Sequence, residues 1–433
     1  MMRTQQSPLR VTLAALLLIL MVVFAESSPS PYLIRTKRAT SKSQFDAFVQ
    51  ELDGGEGEQF TFRHLTHQNY LTNLTETQAK EIRKKDFIQL LLPQQDENHP
   101  KLMVRAPRDL DLLSSNLSRE QSLAPRADLT SSPKAEQPGM LSYNRQGFCP
   151  PGVLYSRDES EGEGTRVFIM DTGFNLDVSE LRNRKKRPKT YLIPAHLQRQ
   201  TNNGAPMLWP QTLEDRMDHG TKMAVLVGGA RMGIAPNGDL ELVKIVADYN
   251  SHIPDDRIAV STAAYANAVD YIMDRIEEIK GYDPQAKLVV SYSLFRLHKS
   301  GNRQIDADLE LIWKNFIAVL QDHNVLLTLS AGNEAAEGFA LADRHITRLG
   351  KQDNIVTTAG LLAYFMGINI YDAEIQYSAV EEFYDQRGAV MAIKLKKYAQ
   401  DWAFPRTDQI PPFGYPELKA IYNGANGYAP LHR

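Results

Sequence analysis

The chain has 433 residues, room for about two or three domains at roughly 100–200 residues each. Hydrophobic residues make up 42%, enough for a sizeable core, and the net charge of −3 gives no bulk signal for nucleic acid or a membrane surface. The single cysteine, Cys149, excludes an internal disulfide framework.

The first element reads as a secretory signal over residues 1–25. Arg3 and Arg10 give a positive start, and residues 11–24 are apolar but for Thr12. Val23-Phe24-Ala25 then offers small residues before a cleavage point. This run is shorter than the ~20 residues a spanning helix needs, and no later segment could span a bilayer. The expectation is a secreted, extracellular protein with no stable membrane anchor. Two glycosylation sequons, at Asn73 and Asn116, fit that route. Arg35-Thr36-Lys37-Arg38 is a dibasic run with two readings left open: a convertase processing site or a solvated basic patch.

Residues 26–95 are expected to hold a small α/β unit. Phe45, Phe48, Val49 and Leu52 have helical spacing. Residues 59–65 alternate like a strand, with Phe60, Phe62 and His64 on one side. Thr75 is placed to cap a helix that Ala79 and Ile82 continue, and residues 87–92 form a second apolar strand. Residues 96–148 read as an irregular linker rich in Pro, Ser, Arg, Asp and Gln, with at most a short helix over 109–117.

From Arg166 the pattern changes to buried strands alternating with amphipathic helices, the mark of a parallel α/β domain. The apolar run 166–170 stops at Asp171-Thr172-Gly173, which puts a carboxylate at the carboxyl edge of a sheet, where catalytic groups gather. Asp218-His219-Gly220-Thr221 opens a helix ended by Gly228-Gly229, so His219 can project into a cleft as a general base oriented by Asp171. Residues 242–246, 288–294, 325–330 and 355–360 are further buried strands, and 262–279 and 312–320 lie on helices. The strand 325–330 runs into Ala331-Gly332-Asn333, whose Asn amide could donate to a developing oxyanion.

These strings, in this order and at βα spacing, resemble the subtilisin-like serine proteases (subtilases) over residues 166 to about 380. The resemblance implies a mostly parallel α/β sheet with helices on both faces. It makes Asp171 the triad acid, His219 the base and Asn333 the oxyanion donor. Ser293, Leu294 and Phe295, with Ala331 and Gly332, would border the substrate pocket. The string from Leu74 to Lys84 leading into Phe87-Ile88 is similar to the second helix and last strand of the inhibitory propeptide that precedes such enzymes. The implied organisation is a signal at 1–25, a propeptide-like unit at 26–95, a linker at 96–148 and a peptidase domain at 149–433, incomplete at its C-terminus. Implied partners are a polypeptide substrate or peptide ligand and the chain's own propeptide, with no nucleic acid. No cofactor is evident, and a structural calcium ion stays open.

The pattern departs from the family at its centre. The family's nucleophile sits in Gly-Thr-Ser, and no such string occurs here. Asn426, in Asn423-Gly424-Ala425-Asn426-Gly427, is the residue that aligns with the serine position, and Ser378 is the only serine after Asn333. An amide cannot form the acyl-enzyme. The family's second histidine is Lys222, its small pair deeper in that helix is Val225 and Leu226, and its glycine after Ser-Leu is Phe295. The expectation is a subtilase that is hydrolytically silent as written. The alternative is a secreted pseudoprotease that binds peptides or a protease.

Overall fold

The computed structural model describes residues 29–94, 160–194, 217–245, 262–293 and 303–329, with shorter stretches between and after them. The chain divides into two compact units, the first ending at Asp96 and the second running from Glu97, with residues 62–65 assigned to the second.

The first unit follows the order β1 (Ser30–Thr36), α1 (Lys42–Asp53), β2 (Glu58–Phe60), β3 (Asn69–Leu74), α2 (Glu76–Ile82) and β4 (Ile88–Pro93). The sheet order is β2-β3-β1-β4, all antiparallel, a split β-α-β arrangement. Ser41 caps α1 by accepting from the Gln44 amide, and Gly54 ends that helix in the left-handed conformation, φ 69°, that a side chain would disfavour. Thr75 and Gln78 form a reciprocal capping box at the start of α2. Phe45, Phe48, Ala79 and Ile82 pack on Ile34, Tyr70, Leu74 and Leu91 of the sheet.

Two local expectations are corrected by the structure. The strand expected over 59–65 is only Glu58–Phe60, and His64 is exposed. The unit's inner strands are instead β1 and β3. Their alternation was hidden by polar residues that the sheet buries, such as Arg35 and Asn69. Arg35 is no solvated patch: it is fully buried, and its Nε donates to Asn69 Oδ1 at 2.8 Å. Lys37 and Arg38 alone are exposed, in the turn between interior strand β1 and the Ser41 cap. A protease needs several extended residues on each side of its cut, and here both sides are locked. A dibasic-specific convertase is therefore expected to leave the folded chain uncut after Arg38 and to cut it in urea. Mass-spectrometric peptide mapping reads the difference, and rapid cleavage of the folded chain would contradict the structure.

Within residues 96–148, read from the sequence as a largely irregular linker, two short strands are described. Leu102–Arg105 is a strand, β5, lying antiparallel between β13 (Ile258–Val260) and β15 (Phe295–Arg296). Another short strand, β6 (Ser131–Ser132), pairs with β7 (Tyr155–Ser156). The candidate helix over 109–117 lies outside the described residues.

The second unit is built on β8 (Thr165–Asp171), α3 (Ser179–Arg182), β9 (Lys189–Leu192), the pair β10 (Gln200–Asn202) and β11 (Ala205–Met207), α4 (His219–Gly228) and β12 (Asp239–Lys244). It continues through β13, α5 (Thr262–Tyr282), β14 (Lys287–Tyr292), β15, α6 (Arg303–Asp322), β16 (Leu326–Leu329) and β17 (Ile355–Val356). Six of these strands form one parallel sheet in the order β17-β16-β14-β8-β12-β9. The fold class read from the sequence is the one observed, a parallel α/β sheet with helices.

Strands of such a sheet are covered on both faces, so they read as near-continuous apolar runs. Val167, Phe168, Ile169 and Met170 are all fully buried in β8. Val167 and Ile169 meet Ala224 and Val225 of α4, together with Leu240, Leu242, Val289 and Leu326. Each such side chain contributes about 1.5–3 kcal/mol when fully buried. β8 comes first in the sequence among these strands, with β12 on one side and β14 on the other. The direction of winding reverses there, and the crevice outside the carboxyl ends of the strands opens at that point.

Candidate active site

Asp171 is the last residue of β8, at the reversal point of the sheet. Its partner is the first residue of α4. Asp218, with φ 55°, turns the chain sharply into that helix, and His219 begins it. His219 Nδ1 lies 2.7 Å from Asp171 Oδ1, and both side chains are buried. The Thr172 amide donates to the same Oδ1 at 2.7 Å. With Asp171 accepting at Nδ1–H, the proton sits on that nitrogen and Nε2 is left as the basic atom. Nε2 is buried without a hydrogen-bond partner among the described residues.

The approach of these two strings requires glycine at one position. A Cβ on Gly220 would collide with the Gly173 carbonyl and with Asp171.

Burial alone would push the His219 imidazole down. The charge and hydrogen bond of Asp171, helped by the charge of Asp215, outweigh that, and Lys222 opposes them only in part. The net result is a pKa above the ordinary 6.5.

Two residues that sequence reasoning did not single out complete the local structure. Asp215 is buried and accepts from the Thr172 hydroxyl (2.8 Å), the Thr221 hydroxyl (2.6 Å), the Thr221 amide (2.7 Å) and the Met217 amide (3.3 Å). Burial raises its carboxyl above the usual range, with Asp171 adding to the rise and the hydrogen bonds from Thr221 and Thr172 holding it back. Lys244 ends β12, in register with Asp171 on β8. Its buried ammonium donates to the Thr212 and Glu214 carbonyls at 2.9 and 2.8 Å, tying down the segment before Asp215. The one sequence signal for either was position: Asp215 lies four residues before His219, and Lys244 closes an apolar strand.

The remaining expected site residues divide by position. Ser293 follows directly on β14, whose last residue, Tyr292, pairs with Met170, the neighbour of Asp171. Phe295 begins β15 beside β5. Leu294, Ala331, Gly332, Asn333, Asn426 and Ser378 lie outside the described residues. Among the described residues no group of three or more His, Cys, Asp or Glu could hold a metal ion, and no helix is long and apolar enough to cross a membrane.

A sheet-edge carboxylate bonded to a histidine at a helix start fixes the imidazole's tautomer and supports its charged form. A family model described as the Subtilase family matches residues 162–372, a stretch that contains both side chains. This part of the chain belongs to the subtilase family. Similar proteins include Subtilisin-like protease 7 of Trichophyton equinum, 28% identical over 102 residues, which are 22% of this chain and 20% of that protein. Subtilisin-like protease 6 of Arthroderma benhamiae is 30% identical over 100 residues, 22% of this chain and 19% of that protein. The chain thus spans about a fifth of the length of the curated relatives it matches.

Among solved structures, the chain resembles the epidermin leader peptide processing serine protease of Staphylococcus aureus. That match has a TM-score of 0.43 and 14% identity, covering 71% of this chain and 61% of the other. A cold-adapted subtilisin-like serine proteinase gives a TM-score of 0.38 and 14% identity, covering 66% and 98%.

Proposed function

We propose that this subtilase carries a subtilisin-type acid–base pair in a cleft that holds extended polypeptide, and that as written it does not cut peptide bonds through an acyl-enzyme. The observation that carries the reading is the buried contact of 2.7 Å between Asp171 and His219, with Nε2 left unpartnered. In this reading Asp171 fixes the tautomer and favours the imidazolium, while Nε2 is the atom that would take a hydroxyl proton. Asn333 is the proposed oxyanion donor, and Ser293, Leu294, Phe295, Ala331 and Gly332 are the proposed substrate-facing residues. Asn426 takes the nucleophile's place, and an amide there forms no acyl bond. The first compact unit is proposed as the propeptide and the whole as a secreted precursor. The split β-α-β unit and the apolar start of the chain support these two assignments.

The alternative role, peptide binding without hydrolysis, has support of its own. Leu102–Arg105 lies as the middle strand between Ile258–Val260 and Phe295–Arg296, hydrogen-bonded on both sides. Strand addition of this kind draws affinity from the main chain and is open to other extended peptides. The pseudoprotease reading makes that groove the functional surface.

Purified protein treated with a serine-directed fluorophosphonate probe and a fluorogenic peptide tests the first reading. The expected result is no labelled serine, with any turnover no more than the residual ~10³–10⁴ over water that binding and an oxyanion hole alone provide. Stoichiometric labelling that His219→Ala abolishes would sink it.

A further inference from the structure

We infer that Asp215 is a positioning residue for the Asp171–His219 pair, acting by fixing the direction of two threonine hydroxyls that cross-link the strings carrying those side chains. The inference rests on the reading of that pair as the reactive centre.

An ionised carboxylate only accepts. Four donors meet the Asp215 oxygens, two of them the hydroxyls of Thr172 and Thr221. A hydroxyl has one proton, so each threonine that donates to Asp215 must offer only lone pairs elsewhere. Each does so to an amide on the opposite string. Thr172, next to Asp171, accepts from the Gly220 amide at 3.0 Å, and Gly220 is next to His219. Thr221, two residues beyond His219, accepts from the Asn175 amide at 3.0 Å, four residues beyond Asp171. Two crossed threads therefore run through one carboxylate.

The threads bind backbone to backbone on either side of the pair, so they set its separation without touching it. Lys244 holds the carbonyls of Thr212 and Glu214, which fixes where the Asp215 carboxylate stands. Asp215, Thr172, Thr221 and Gly220 are buried, so water cannot substitute for a partner lost among them, whereas Asn175 at the end of the second thread is exposed.

Asp215→Asn is the informative change. Its single oxygen is claimed by the Thr221 amide, a donor that cannot turn. The new amide donors then face Thr172 and the Met217 amide. The Thr172 hydroxyl loses its acceptor and with it the fixed orientation that receives Gly220. Thr172→Val removes the same thread at its other end, and Thr172→Ser keeps it.

The test uses the full chain with labelled histidine. Nitrogen-detected magnetic resonance follows the hydrogen-bonded Nδ1 proton of His219 and the ratio of its tautomers, and near-ultraviolet circular dichroism checks the fold. In the wild type we expect one tautomer and a protected Nδ1 proton. In Asp215→Asn and in Thr172→Val that proton should exchange faster by about tenfold, the scale of one lost hydrogen bond to a charged group. Thr172→Ser should match the wild type, and the double variant Asp215→Asn/Thr172→Val should be no worse than either single one. Unchanged exchange in Asp215→Asn, or additive effects in the double variant, would overturn the positioning role. A wild-type chain with no protected Nδ1 proton would instead overturn the reading of the pair, and this inference with it.

Discussion

Asp171→Ala should destabilise the second unit by about 3–5 kcal/mol, the range for removing one partner of a buried charge pair. The cost arises because His219 stays buried with Nδ1 deprived of its partner, while Nε2 has none among the described residues. Urea unfolding followed by tryptophan fluorescence suits the measurement, since Trp209, Trp313 and Trp402 all belong to the second unit. The pH dependence should also change sign. In the wild type the folded-state pKa of His219 is raised, so the folded chain binds the proton more tightly than the unfolded one. Its contribution is complete below about pH 6.5 and is lost as pH rises through the folded value. Without Asp171, burial, the largest single influence, is left to dominate and pushes the imidazole down. Stability should then rise with pH up to about 6.5. Asp215 contributes in the acid range with the wild-type sign. Its raised carboxyl adds stability that is complete below the ordinary value of 3.8 and lost as pH rises through the folded value. A variant within about 1 kcal/mol of the wild type would show that the contact carries little, and an unchanged slope near neutrality would show that it does not set the histidine's charge.

Glu241→Ala should cost about 3 kcal/mol, for a reason unconnected with the site. Glu241 is a buried carboxylate in the middle of β12. Tyr271 donates to its Oε1 at 2.6 Å and Arg275 Nε at 2.8 Å, while Arg166 lies 3.7 Å from Oε2. The Tyr271 ring in turn stacks on Tyr191, with centroids 3.6 Å apart and planes 9° from parallel. Tyr191 donates to Asn267 at 2.9 Å, and burial lifts its phenol to about 12. Removing the carboxylate leaves the Tyr271 phenol without its acceptor and the Arg275 guanidinium with Glu278 as its remaining partner. Glu241→Gln keeps an acceptor and should cost less than half as much. Neither change should move the Nδ1 signal of His219. Urea midpoints give the first comparison and magnetic resonance the second. Equal losses for Ala and Gln would mean that charge, and not the acceptor, is what the network needs.

Some of this was legible in the chain because the signals are local. Apolar runs such as 166–170 and 325–329 specify strands buried on both faces, and an acid at the end of the first is enough to locate a sheet edge. His219 was legible because glycine beside it and an apolar face behind it mark a helix start. Thr75 was legible as a helix cap, and the structure adds Gln78 as its reciprocal partner.

What the sequence could not determine depends on partners far along the chain. Arg35 looks like surface until Asn69, 34 positions on, accepts from it inside a sheet. Leu102–Arg105 is a short apolar run inside a polar stretch that reads as linker, and it becomes a strand only because two distant segments flank it. Asp215 and Lys244 are polar residues in or beside a loop, unremarkable by periodicity. They matter because folding brings Thr172, 43 positions away, to the buried Asp215 and the Thr212 and Glu214 carbonyls to the buried Lys244. Hydrophobic periodicity records which face of an element is buried. It cannot record which buried polar group will meet which other, because that pairing is settled by strand order, and strand order is a property of the whole sheet.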